Sequence, residues 1–251
     1  EIVVRDLTVV GANPRAGSEE GAYVESLEGQ HGFRFLGTRG VELDRVRVTD
    51  VYGDFLYLGG SDGAFTRDVH VTGAHFERSG RQGIAITGAE NVVIESSFIG
   101  EVARTVIDLE PNTANGRAWN ISFRGNTFGA CRHLLLSAGG QGPNVGEVEL
   151  VGNVLKGMQL KVRAAASDGS RRGPFRIVDN TSDTPLGTPV AALRFVRIDG
   201  VEVTGNVQPL VPRRRMTAVS AKESCGIRVQ GNQFNDAAEI ADVAPFDCPA
   251  S

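Results

Sequence analysis

FRGNTF (residues 123–128), LVGNVL (150–155), IVDNTS (177–182), VTGNVQ (203–208) and VQGNQF (229–234) are one pattern written five times. Their asparagines, Asn126, Asn153, Asn180, Asn206 and Asn232, fall at intervals of 27, 27, 26 and 26 residues. Upstream the column reads on through Asp50 in VTDVY, Ala74 in TGAHF and Ser97 in ESSFI, at intervals of 24, 23 and 29. Each unit is a short alternating strand such as VELDRVRV, DVHVTG, NVVIESS, NISFRG or EVELVG, a polar turn and a second short strand. Strands this short, with no 3.6-residue period between them, exclude a doubly wound sheet. A unit of this size cannot bury its own apolar side and must stack on its neighbours. The pattern predicts an all-β solenoid of parallel strands, about 8–9 coils in one domain spanning 1–251, with the repeat core at about 31–236. Asparagine recurring at one corner is expected to bond its equivalent one coil on, a ladder with about 4.8 Å per step. The turn also suits it, because Asn tolerates left-handed backbone angles.

Composition fits. A chain of 251 residues with 41% hydrophobic content can bury a full core. Only 6% of residues are aromatic while 32 are glycine, so that core is built from small aliphatic side chains between many turns. The net charge of −4 argues against general nucleic-acid affinity, which needs a basic face against phosphate. The basic clusters Arg171–Arg172 and Arg213–Arg215 read as solvated loops. No apolar run approaches the length of a membrane helix, and no signal peptide is visible. The chain opens inside the strand-like EIVVRDLTVV, from which an upstream segment is expected. Cys131, Cys225 and Cys248 lack the spacing of a zinc or redox motif. Either Cys225 pairs with Cys248, as in a secreted protein, or all three are buried thiols.

The coils GDFLYLGG, RQGIAITGAENVVIESSFIG, RTVIDLEPN and AWNISFRGNTFG resemble the right-handed parallel β-helix superfamily of pectate-lyase type, over roughly residues 31–236. That resemblance implies a right-handed, single-stranded β-helix, and a secreted or phage-borne protein acting on polysaccharide as hydrolase, lyase or epimerase; the polar outward residues favour a monomer over a trimerising shaft, which would carry apolar outward stripes. The better-marked branches carry an Asp-Asp pair with Gly-His-Gly, Arg-x-Pro-x-x-Arg or Asp-Pro-His, and none of these strings occurs here. No catalytic residue is therefore carried over by motif. The looser pattern GD-x-x-Y-x-G, RQGI and ID-x-EPN is shared, through Asp54, Tyr57, Arg81, Gln82, Asp108, Glu110 and Asn112.

Stacking HGFRFLG, GDFLYLG, RQGIAITG, RTVIDLEP and RHLLLSAG on inward Leu58, Ile86, Leu109 and Leu136 sends alternate residues outward. Tyr57, Ala85, Asp108 and Leu135 then form one outward column, with Arg34 or Phe35 a coil earlier and Glu110 two residues beyond Asp108. The three consecutive leucines of RHLLLSAG blur the alternation there. His31, Asp54, Arg81, Gln82, Arg104, Arg132 and His133 gather at the strand starts, and Ala85 and Gly83 leave a groove floor. The candidate catalytic residues are Asp108, Glu110, Asp54, Tyr57 and His133. Arg81, Gln82, Arg104, Arg34 and Asn112 are candidates for holding substrate.

Three chemistries suit these side chains. A glycosidase needs two carboxyl groups, and separations of roughly 6.5–9.5 Å fit inversion. A uronate lyase or epimerase needs a cation, Arg81 or Arg104, against the substrate carboxylate and a base, Tyr57 or His133. Alternatively Asp54, Asp108 and Glu110 hold Ca²⁺, or all are merely a solvated strand face. A noncatalytic glycan-binding or structural shaft is the competing class. His70 and His75 read as structural, and the Gly-rich AGGQGPNVG at 138–146 lacks the setting of a phosphate loop. Residues 11–30 read as an inserted loop whose Tyr23 and Glu25 overhang the groove, and 237–251 as a C-terminal cap.

Overall fold

A computed structural model describes residues 1–61, 63–185, 191–209, 217–234, 239–243 and 248. The Arg213–Arg215 cluster and most of the C-terminal segment lie outside the described residues. The chain winds as a parallel β-helix in which every coil passes through three walls.

The groove wall consists of β1 (Phe33–Leu36), β2 (Leu56–Ser61), β3 (Ile84–Ile86), β4 (Ile107–Leu109), β5 (Leu136–Ala138), β6 (Val162–Ala164), β7 (Leu193–Val196), β8 (Thr217–Lys222) and β9 (Glu239–Val243). Each pairs in parallel with the next coil's strand. The back wall runs from Ile2–Arg5 to Cys225–Gln230, and the third wall is a sheet of nine short strands from Thr8–Val10 to Gln233–Phe234. The strands at 2–10 and β9 pair with the same stack. Among the described residues the antiparallel contact is a hairpin, Gly60 opposite Phe65, and the helical segment is one 3-10 turn at Glu25–Leu27.

Alternation puts Leu43, Leu56, Leu58, Ile84, Ile86, Leu109, Leu136 and Leu150 inside, all fully buried. Phe55 and Phe76 stack at 5.6 Å in the same interior. A coil cannot bury this surface alone, so core and stacking form together.

The amide ladder is present. Asn126, Asn153, Asn180 and Asn206 each donate from Nδ2 to the next Oδ1, at 3.1, 2.8, 3.0 and 2.9 Å. The same Oδ1 atoms accept the preceding coil's backbone N–H at 2.9–3.0 Å. Ser97 starts the ladder, its N–H on Asn126 Oδ1 at 3.1 Å. Two details differ from expectation. The left-handed residue is not the asparagine but the one before it: Gly125, Gly152, Asp179, Gly205 and Gly231 have φ of 59, 62, 55, 67 and 64°. And Asp50 is not in the column; pairing of Arg47 with His75 puts Val46 above Ala74, while Asp50 holds Arg78 Nε at 2.6 Å on a different corner. Val46 has no amide to betray its place in the sequence. Asn180 is fully buried in this ladder.

Candidate functional site

Strand pairing fixes the outward column of the groove wall as Arg34, Tyr57, Ala85, Asp108, Ser137, Arg163, Arg194 and Ser220. Arg34, rather than Phe35, is the residue above Tyr57. Leu135 does not stand beside Asp108. Ser137 does, because Leu136 pairs with Ile107 rather than Leu109, a slip of two residues that keeps the faces unchanged. Leu135 is itself fully buried.

Asp108 sits at the bottom of this face, 5% exposed. Gln82 Nε2 donates to its Oδ2 at 2.8 Å, and the Ser137 hydroxyl also bonds the carboxyl. Burial first, then the charge of Glu110 and of Asp54, push the Asp108 carboxyl up to about 7, against the opposing pull of Arg81 and Ser137. Gln82 is fixed in turn, since its Oε1 accepts the Thr105 backbone N–H at 2.8 Å. That bond sets the amide orientation and aims Nε2 at Asp108. Glu110, two residues on, is exposed at the rim. Ala85, between Tyr57 and Asp108, leaves the depression that a larger side chain would fill. Gly83 serves differently: a Cβ there would stand 2.5 Å from the Val106 carbonyl, so glycine permits close coil stacking rather than forming a floor.

Asp54 is fully buried. It accepts Arg81 Nη1 at 3.2 and 2.9 Å and the Gln82 backbone N–H at 2.9 Å, with His31 Nδ1 at 3.3 Å. Both of its oxygens are thus engaged within the protein. Among the described residues no three Asp, Glu, His or Cys side chains converge on a metal position. The chain Asp54–Gln82–Asp108 is instead a string of hydrogen bonds that locks the acid in place. His31 stacks on Tyr57 with ring centroids 4.8 Å apart, Arg34 lies 5.8 Å from the centre of the Tyr57 ring, and Tyr57 OH is 2.9 Å from Thr87 Oγ1.

Residues 11–30 form a strap that descends the corner of the groove wall and returns. Its outward leg is tied coil by coil, Asn13 N–H to Asp50 O, Gly17 N–H to Ser79 O and Ser18 Oγ to Glu101 Oε2 at 2.9, 3.0 and 2.7 Å. At its tip Glu20 meets Arg132 at 3.5 Å. On the return leg the Tyr23 ring lies 5.2 Å from the Arg104 guanidinium, and Glu28 pairs with Arg81 at 3.2 Å while accepting Tyr23 OH at 2.7 Å. Tyr23 does reach over the wall, and so does Glu25, but it is Glu28 that takes an arginine. Glu19, Tyr23 and Glu25 bound an open cleft of about 410 Å³ with Arg104, Arg132 and His133. In it, burial and then the nearby Arg104 and Arg132 hold the His133 imidazole below its usual value.

A second cleft of about 410 Å³ opens at the other end of the strands, lined by Tyr57, Thr87, Asn112, Asn115 and the Gly60–Phe65 hairpin. Thus Asp108 lies between a cleft lined by arginines, a histidine and two glutamates and one presenting an aromatic ring and amides. His70 and His75 are on the outer walls, bonded to Glu95 and Glu77. Lys161, Arg163 and Arg194, absent from the candidates read in the sequence, extend the groove wall downstream. The period of about 26 residues that places Arg163 and Arg194 beneath Asp108 was available, but the misleading leucines at 134–136 hid their register.

No family model and no curated protein matches the chain. Among solved structures it is similar to the family 28 exopolygalacturonase of Yersinia enterocolitica, at 11% identity and TM-score 0.42, covering 82% of this chain and 46% of that one. It is also similar to PfbA, a surface adhesin of Streptococcus pneumoniae, at 11% identity and TM-score 0.49, covering 96% of this chain and 72% of that one. The chain thus spans less than half the length of the exopolygalacturonase. Such likenesses bear on no residue of the groove. The strand register by itself makes the chain a parallel β-helix protein.

Proposed function

We propose that the chain is a secreted carbohydrate-active enzyme that cleaves a polysaccharide lying in the groove, with Asp108 as proton donor and Glu110 as its partner carboxyl group. The observation that carries this reading is the state of Asp108: a carboxyl group in an otherwise polar groove, pushed up to about 7 by burial and by Glu110. A general acid works best when its pKa lies near the working pH. Side chains at i and i+2 on a strand start about 7 Å apart, within the roughly 6.5–9.5 Å that leaves room for an attacking water and gives inversion. Tyr57 offers an apolar ring to a sugar face, Asn112 offers an amide at the opposite cleft, and Arg104 stands where a substrate oxygen or carboxylate can reach it. Asp54, Arg81 and Gln82 act as positioning residues for Asp108, and the strap narrows the groove. Extracellular placement is supported by the disulfide formed between Cys225 and Cys248, a bond that belongs to oxidising compartments.

A second reading, a noncatalytic glycan-binding β-helix, is favoured by the 5% exposure of Asp108. One assay separates the two: incubation with a panel of polysaccharides, following reducing ends together with absorbance of unsaturated sugars at about 235 nm. The proposal predicts reducing ends without absorbance. Absorbance would assign a lyase, with His133 and Arg104 its base and cation. Neither signal, with glycan still bound, would establish the binding module.

A further inference from the structure

We infer that the groove continues beyond Asp108 as a trough for a polyanionic glycan, held by Lys161, Arg163 and Arg194; this rests on the reading of the groove as a polysaccharide site. Pairing of β6 with β7 sets Arg163 directly against Arg194 on the outward face, one coil apart. Adjacent coils are about 4.8 Å apart, and like charges opposite each other across neighbouring strands are destabilising. Lys161 precedes Arg163 by two residues and points to the same face. Among the described residues no carboxylate lies within ion-pair distance of any of the three.

The back wall gives the contrast. On the back wall charges alternate coil by coil, Arg124 with Glu149 at 2.7 Å, Glu149 with Arg176 at 2.6 Å, Arg176 with Glu202 at 3.0 Å, and Glu202 with Arg228 at 3.8 Å. Arg67 and Arg117 flank Glu90 in the same way, at 2.8 and 2.6 Å. Where the back wall stacks acids between its arginines, the groove wall sets three cations side by side with no ion pair among the described residues. They are also placed in a concavity: His133, Lys161, Arg163 and Arg194 line a cleft of about 220 Å³ contiguous through His133 with the cleft beneath the strap. An unpaired cation row with a coil-length repeat fits a linear chain carrying one acidic group per repeating sugar, each bound by charge-assisted hydrogen bonds. The acidic group is a carboxylate or a sulfate ester. Together with the aromatic ring of Tyr57 on the earlier coils, the row gives the groove a direction, with the anionic part of the glycan lying on the side of later coils.

Fluorescence anisotropy with labelled oligomers tests this, using a polyuronate, a sulfated glucan, the unsulfated glucan and single-stranded DNA of matched charge. The intact chain is expected to bind one of the anionic glycans at least about tenfold more tightly than the neutral one, with affinity falling as salt rises; whichever anion is preferred names the acidic group. The Arg163→Gln/Arg194→Gln double variant should lose that advantage, while Arg163→Lys/Arg194→Lys keeps most of it. Thermal unfolding of the Gln variant should be unchanged or raised, since a like-charge contact is removed, whereas arginines with a structural role would lower it. Equal binding of the neutral glucan, unchanged binding by the Gln variant, or DNA bound as tightly as the glycans would each overturn the inference. Asp108→Asn keeps the cation row, so it should abolish turnover without touching anionic binding; loss of one property without the other shows which of the two readings has failed.

Discussion

The proposed chemistry of the groove turns on one residue, Asp108, whose ionisation is out of the ordinary. Because the Asp108 carboxyl is raised to about 7 in the folded chain, the unfolded chain gives up this proton first as pH rises. Stability is therefore lost between about pH 4 and about 7, at no more than roughly 1.4 kcal/mol per pH unit. Asp108→Asn, which cannot ionise, should melt with the native chain at pH 4 and above it at pH 8 in parallel thermal scans. Under the proposed assignment Gln82 positions Asp108. Gln82→Leu removes both the acceptor of the Thr105 N–H and the donor to Asp108, costing about 1–3 kcal/mol. Losing a donor to the ionised carboxylate also raises its pKa further, so the alkaline limb of the pH–rate curve should move upward. A loss of stability with an unmoved limb would make Gln82 structural alone. In the sequence Asp108 stands out through its outward place beside Glu110, but its burial does not, because that depends on Gln82 and Ser137 arriving from neighbouring coils.

Among elements, the asparagine corner was legible because it repeats a rare side chain at a constant interval. Asn153→Ala strips the acceptor from the Asn126 backbone N–H and from Asn126 Nδ2, both buried, and should cost about 2–4 kcal/mol in chemical denaturation. Two glycines offer a graded control. At Gly152 a Cβ has open space, so Gly152→Ala costs only the left-handed backbone, about 1–2 kcal/mol. At Gly146 a Cβ would fall 2.0 Å from the Gly173 carbonyl, so Gly146→Ala should be clearly the more damaging of the two. The strap was legible as an insertion, since it interrupts the period, but its course was not: its ties are mostly backbone bonds to other coils, which leave no mark in composition. The groove register after Asp108 failed for a similar reason, three adjacent leucines being equally content inside at either offset.

For the molecule as a whole, a solenoid has neighbour contacts and little else, so perturbations should stay local. Cys225 and Cys248 join the last back-wall strand to the C-terminal segment, 23 residues apart in the chain. Reduction is expected to destabilise this end by roughly 3 kcal/mol. Amide exchange should quicken in residues 217–234 while the coils from 84 to 128 stay protected; uniform acceleration would show a single cooperative unit instead. No described helix is long and apolar enough to cross a membrane. The central claim is that this stack carries a two-carboxyl active site. Its most direct test is the release of reducing ends from the panel's best substrate by the native chain, Asp108→Asn and Glu110→Gln, each with its pH profile. The account predicts native activity that falls above about pH 7 as Asp108 ionises, and losses of about 10²-fold or more in both variants. Full activity in both would contradict it and move the site elsewhere on the solenoid.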